Sequence, residues 1–129
     1  QGVHAYREPV RIQPESADAW YNLGNAYYDL QQYDQAVQAY RESLRIRPEN
    51  VNAWYNLGVT YDELKQQDEA IRAYQEALRI QPGYAMAWYD LGRIYYFQGE
   101  REKVRDIYKT LRKLDPVRAE KYFNALIMP

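Results

Sequence analysis

The adjacent carboxylates Asp62-Glu63 and Asp68-Glu69 are the side chains in this sequence that come nearest to an acid-base couple. Such a couple needs one group to give a proton and one to take it at the same reacting atom. Neighbouring residues on a helix point about 100° apart, so neither pair can do this. The chain has no cysteine, which removes thiolate nucleophiles, disulfides and cysteine metal sites. Its one histidine, His4, reads as an ordinary surface residue, and a zinc site would have to be mostly carboxylate. No phosphate-cradling glycine loop, nucleophile elbow or metal-ligand spacing occurs in the chain. The expectation is a protein that is not an enzyme and uses no metal or cofactor. Its 15 tyrosines and its asparagines point to binding instead. Tyrosine supplies flat amphipathic contact area with little rotamer entropy to lose. An asparagine amide carries two donors and an acceptor, and can hold a peptide main chain without reading side chains.

Such groups need a scaffold to position them, and 47% hydrophobic content in 129 residues is enough to bury a core without help. The 17 Lys and Arg against 18 Asp and Glu leave a net charge of −1, so there is no bulk attraction to nucleic acid or an anionic membrane. No apolar run approaches the roughly 20 residues of a membrane span. No charged segment followed by an apolar one opens the chain as a secretory leader would. The chain reads as soluble, with the compartment open and the cytoplasm the expected one. It starts at Gln1 and not at Met, which fits a natural start further upstream, with any removed leader, or a cloning remnant at Gln1-Gly2.

The scaffold shows in the spacing. Trp20, Trp54 and Trp88, and Pro14, Pro48, Pro82 and Pro116, recur at intervals of 34 residues, and residues 17–50 share 18 of 34 positions with 51–84. Trp20, Leu23, Gly24 and Tyr27 stand at helical spacing on one side of a first helix. Ala36, Tyr40, Ser43 and Ile46 do so on a second, after the polar break Gln31-Gln32. Each unit is therefore a helical hairpin that ends at its proline. Asp34 and Asp68 open the second helices, where carboxylates favour the N-terminus. Gly24, Gly58 and Gly92 lie inside first helices at a cost of about 1 kcal/mol each relative to alanine. That cost implies close approach of a neighbouring helix, and the small residues Ala36, Ala70 and Ala77 fit it. The core is expected to hold the three tryptophans and Tyr27, Tyr61, Tyr95, Tyr40, Tyr74 and Tyr108.

The pattern Trp-x-x-Leu-Gly-x-x-Tyr, intact at Trp20–Tyr27, Trp54–Tyr61 and Trp88–Tyr95, resembles the tetratricopeptide repeat (TPR) family over nearly the whole chain. The resemblance implies an all-α fold, a right-handed superhelical α-solenoid of antiparallel helix hairpins, forming a single domain over 1–129. Its parts are an N-terminal half repeat at 1–16, repeats at 17–50, 51–84 and 85–118, and a C-terminal capping helix at 119–129. Partial units at both ends are what excision from a longer protein would leave. The third repeat departs from the pattern, with Val104 and Leu111 at positions where the family favours small residues. It also carries Arg105 and Arg112 where earlier repeats have Val37 and Leu44, or Ile71 and Leu78, so wetter packing is expected there. Residues 3–14 echo a second helix through Val3, Tyr6, Val10 and Ile12, with Pro9 expected to shorten or kink it. Ala119 and Tyr122 echo a first helix that lacks its glycine.

Opposite the packing stripe of the first helices stand Asp18, Tyr21, Asn22, Asn25, Tyr28 and Asp29, then Asn52, Tyr55, Asn56, Val59, Asp62 and Glu63. The third repeat adds Met86, Tyr89, Asp90, Arg93, Tyr96 and Phe97. The resemblance makes this face a concave peptide-binding groove. Five carboxylates and one arginine give it a local charge near −4, so a basic or aromatic-containing segment is preferred. Asn22 and Asn56 resemble an asparagine ladder that Asp90 interrupts. Asn25 and Asn56 match two places of the clamp that holds an acidic chaperone tail, but Tyr21, Met86 and Asp90 stand where it needs cations. The acidic residues also read as a merely solvated face, and the tyrosines as packing along their own helices.

The leading expectation is a non-catalytic protein-protein interaction scaffold holding an extended basic or aromatic-containing peptide. The alternative is a self-assembly module joining the half repeat at 3–14 to the C-terminal helix of another copy through Tyr122, Phe123 and Leu126. Nucleic acid is not expected, because an acidic groove repels phosphate, and neither is membrane insertion.

Overall fold

The computed structural model describes residues 2–128, which contain helices and turns and no strand. In chain order the helices are α1 (Val3–Ile12), α2 (Ala17–Asp29), α3 (Tyr33–Ile46), α4 (Val51–Glu63), α5 (Gln67–Ile80), α6 (Ala85–Phe97), α7 (Arg101–Leu114) and α8 (Pro116–Tyr122). A π-helical turn (Phe123–Ile127) follows. The chain divides within α5 into two compact units, one ending at Glu76 and one beginning at Ala77.

In the first unit α2 and α3 form one hairpin. The Ser43 hydroxyl near the end of α3 donates to the Ala17 carbonyl at the start of α2, at 2.8 Å, while Tyr40 meets Gly24 further along, so the two helices run antiparallel. A Cβ on Gly24 would sit 2.7 Å from the Tyr40 ring, and one on Gly58 2.7 Å from Tyr74, which is the close approach the glycines implied. Ala36 and Ala70 are fully buried beside these rings. Val37, Tyr40, Leu44, Ala53, Leu57 and Ala73 form one core, and Val3, Val10, Ala19, Leu23, Ala26 and Ala39 another. The tryptophans are half-buried and not fully enclosed, because each indole N–H reaches out to the carbonyl of the preceding proline. The pairs are Trp20 to Pro14 and Trp54 to Pro48, both at 2.7 Å, and in the second unit Trp88 to Pro82 at 2.8 Å. Tyr27 and Tyr61 are likewise half-buried.

Each hairpin turns the same way. Gln31, Lys65 and Gly99, 34 residues apart, all adopt positive φ, and the next N–H returns to the helix at 2.9 Å, as in Gln32 to the Tyr27 carbonyl. Asp34 and Asp68 lie in the first turns of α3 and α5. Ser16 and Asn50 cap α2 and α4 by accepting from Ala19 and Ala53. Helix α1 runs through Pro9 and spans 10 residues against 14 for α3, α5 and α7. Only Val3 and Val10 of its four echoing residues are buried. Tyr6 and Ile12 are exposed, since the face that carries Tyr6 meets no first helix.

The second unit departs from the repeat in one respect. Val104, Ile107 and Leu111 on α7 are buried where α3 has Ala36, Ala39 and Ser43. With bulky side chains along that face, the ring that fills the cleft at Gly92 comes from α8 and not from α7. Tyr122 is fully buried against Gly92 and its hydroxyl donates to the Val104 carbonyl at 2.6 Å. Tyr108, expected in the core, is half-buried between Phe123, at 5.1 Å between ring centres, and the Arg112 guanidinium. Arg105 and Arg112 are exposed, which is the wetter packing expected of this repeat. The closing helix starts at Pro116, three residues ahead of the expected Ala119. Asp115 caps it by accepting from the Arg118 N–H at 3.0 Å, and proline suits the first helical position.

Candidate functional site

In the first unit, the side of α2 and α4 away from the packing stripe surrounds a hollow of about 430 Å³. Its walls are Asn25, Tyr28 and Asp29 from α2, Tyr40 from α3, and Tyr55, Asn56 and Val59 from α4. The 34-residue repeat places equivalent faces of α2 and α4 side by side, which is why residues 31 apart in sequence can touch. The Asn56 amide donates to the Tyr21 hydroxyl at 3.1 Å and to Asn25 Oδ1 at 3.2 Å, and the Tyr40 hydroxyl donates to the same Asn25 oxygen. The Tyr28 hydroxyl donates to Glu63 at 3.3 Å, tying the two helices together at the far end.

This arrangement changes the roles of several expected site residues. Both hydrogens of the Asn56 amide are engaged within the protein, so Asn56 fastens α2 to α4 before any ligand arrives. Asn22 is exposed and lies outside that network, as does Asn52. Tyr21 and Tyr55 lean on the buried rings of Tyr40 and Tyr74, at 6.0 and 5.7 Å, so both are partly packing residues. Asp18 pairs with Arg47 at 3.2 Å on the exposed surface, which lowers its share of the local negative charge. Asp62 is half-buried on α4. Tyr40, read as core alone, also forms a wall of the hollow, a double role that spacing does not reveal.

In the second unit Met86, Arg93, Tyr96 and Phe97 are exposed along α6, and Asp90 stands 3.8 Å from Arg93. Tyr89 rests edge-on against Tyr122 at 5.5 Å. The terminal contact expected through Tyr122 is not open, because that ring is inside the unit. A larger hollow of about 1010 Å³ lies on the outer side of α3 and α5 above Val37, Leu44 and Trp54. Arg41, Arg45 and Arg72 there face Asp34, Glu69 and Glu76, so it favours neither sign of charge. Among the described residues no cluster of three His, Cys, Asp or Glu could hold a metal ion, and no helix is long and apolar enough to cross a membrane.

Burial, with the Glu63 charge beside it, pushes Tyr28 up to about 12, and burial also raises Tyr40. A tyrosine whose proton is held more tightly in the folded state stabilises the fold fully below the unfolded value near 10. That contribution is lost as pH rises from 10 towards 12. Alkaline titration followed by phenolate absorbance should therefore show a tyrosine ionising near pH 12 that Tyr28→Phe removes. Loss of a step near pH 10 instead of near 12 would place Tyr28 in open solvent.

A family model described as TPR repeat matches residues 24–65. Models described as tetratricopeptide repeat match 51–84 and, in two stretches, 5–38 and 73–104. No curated protein matches the chain. Among solved structures, one described as "Crystal structure of MamA" is similar at TM-score 0.86 and 26% identity, over 92% of this chain and 69% of that one. "Crystal structure of MamA protein" follows at 0.83 and 26%, over 92% and 64%, and "MamA MSR-1 C2" at 0.79 and 26%, over 90% and 67%. The chain thus spans about two thirds of the length of these structures.

Proposed function

Because the chain belongs to the tetratricopeptide repeat family, we propose that it is a non-catalytic protein-interaction scaffold whose α2–α4 face receives an extended segment carrying basic or aromatic side chains. The observation that carries this reading is the hollow between α2 and α4, where five tyrosine and asparagine side chains surround a space with Asp29 on its wall and Glu63 beside Tyr28. A lysine or arginine entering it meets carboxylates, and an aromatic ring meets Tyr28 and Tyr55. Asn22 adds an exposed amide on α2, and Asn56 acts by holding the walls apart at a fixed spacing.

A peptide of alternating lysine and tyrosine, titrated by fluorescence anisotropy, tests this. Asp29→Lys should weaken it about fivefold at low salt, the size expected of an exposed charge pair, and the difference should shrink at high salt. Asn22→Ala should weaken it less. Affinity indifferent to both substitutions would remove this face from the reading.

One observation favours self-assembly as a second reading. Tyr6 occupies the place of Tyr40 and Tyr74, yet it is 43% exposed where they are 1% exposed, and Ala5 and Pro9 beside it are exposed as well. A helix from another copy would cover that face. At the other end Phe123 and Leu126 remain available, but Leu126 stands where a first helix has its glycine, so it offers no cleft for Tyr6. Light scattering over a concentration series decides the matter, and a constant monomer mass rejects it.

A further inference from the structure

A second hollow, of about 460 Å³, lies wholly within the second unit, where the α6–α7 turn faces the π-helical turn. Tyr96 and Phe97 form one wall, Val104 and Leu126 the base, and Arg101 and Arg105 the rim. Phe97 is 70% exposed and Tyr96 39%, with their rings edge-on at 5.4 Å, so two aromatic rings set at an angle are held open to solvent. Arg101 and Arg105 are one helical turn apart, so their like charges repel weakly and an anion between them would relieve that repulsion.

Neither guanidinium has an ion pair, hydrogen bond or ring contact among the described residues, whereas Arg11, Arg45, Arg47 and Arg118 are all paired. Among the described residues no carboxylate lines the hollow, although Glu100 and Glu102 are neighbours in sequence. The unit that holds the hollow is basic although the whole chain is at −1, with 10 Lys and Arg against 6 Asp and Glu over residues 77–129, so an acidic ligand is attracted to it as well as to the two guanidinium groups. The repeat register adds a further point: Arg105 occupies the position of Val37, which is buried against the following hairpin. Where the first repeat closes with an apolar contact, the third opens a cavity and puts a guanidinium at its edge.

We propose that this hollow binds a segment of another protein in which a large apolar side chain stands beside carboxylates. The apolar side chain would lie on Phe97, Val104 and Leu126, and the carboxylates would meet Arg101 and Arg105 through charge-assisted hydrogen bonds. The site is separate from the α2–α4 face and selects the opposite charge.

The probe is a labelled, acetylated hexapeptide of sequence Asp-Glu-Phe-Leu-Asp-Glu, titrated into the full chain at low salt. Binding should weaken about fivefold with Arg101→Gln and with Arg105→Gln, as for partly exposed ion pairs, and should not change with Asp29→Lys. A variant peptide with Asn and Gln in place of the acids should bind weakly, and so should one with Ser in place of Phe and Leu. Both arginines are exposed, so circular dichroism should show the variants folded. The proposal fails if the probe does not bind up to about 1 mM or binds equally to both arginine variants. It fails also if a fatty acid shows the arginine dependence and the peptide does not.

Discussion

Tyr122→Ala should lower the stability of the C-terminal unit by about 4 kcal/mol, whereas Tyr108→Ala should cost about 1 kcal/mol, measured by urea denaturation followed by circular dichroism. The repeat register alone favours the reverse, because Tyr108 stands where Tyr40 and Tyr74 fill their glycine clefts. Packing decides it. Tyr122 is fully buried against Gly92, and its removal empties the cleft and strips the Val104 carbonyl of its 2.6 Å donor. Truncating a buried aromatic side chain costs about 3 to 5 kcal/mol, a figure that covers the emptied cleft and the lost hydroxyl bond together. Tyr108 is half-buried, with one side of its ring toward Arg112, so its loss leaves water where the ring was. Similar losses for the two substitutions would mean that α8 does not supply the ring.

Gly58→Ala should destabilise the N-terminal unit by about 2 kcal/mol, against the gain of about 1 kcal/mol that the same change gives at an unobstructed helical site. The added methyl would lie 2.7 Å from the Tyr74 ring, closer than carbon atoms approach, and Tyr74 is too enclosed to move aside. Combining Gly58→Ala with Tyr74→Leu should shrink the penalty, because the ring that collides is gone, and the coupling between the two changes measures the contact itself. A stabilising Gly58→Ala would show that the cleft is looser than the structure has it. Gly24 and Tyr40 make the same test in the preceding hairpin.

The hairpins were legible because their signals are local. Tryptophan, glycine and proline at a 34-residue period set the helices, their close approach and their ends, and two copies with 18 shared positions make the register unambiguous. The ring that fills Gly92 was not legible, because it depends on the summed bulk of Val104, Ile107 and Leu111 and not on the spacing of Tyr108. A signal was present all the same: Tyr122 stands 34 residues after Trp88, in the tryptophan place of a repeat that ends early.

The candidate site was legible as a face and not as a set of roles. Helical periodicity separates Tyr21, Asn25, Tyr28, Tyr55 and Asn56 from the packing stripe, and these residues do surround or brace one hollow. Whether an amide on that face points to a ligand or to its neighbour depends on the distance between α2 and α4, which no single helix encodes. Asn56 turned out to be braced against Tyr21 and Asn25, and Asn22 to be exposed. Charge behaved similarly. Asp18 is offset by Arg47, while the unpaired Arg101 and Arg105 mark a region that a −1 total conceals.

Backbone amide shifts recorded while the lysine-tyrosine peptide is added test the central claim, that the α2–α4 face is where a partner docks. The account predicts that the largest changes fall on residues 21 to 29 and 55 to 63, with Asn25, Asp29 and Asn56 among them. Changes confined to the outer side of α3 and α5, or spread evenly over every helix, would contradict it.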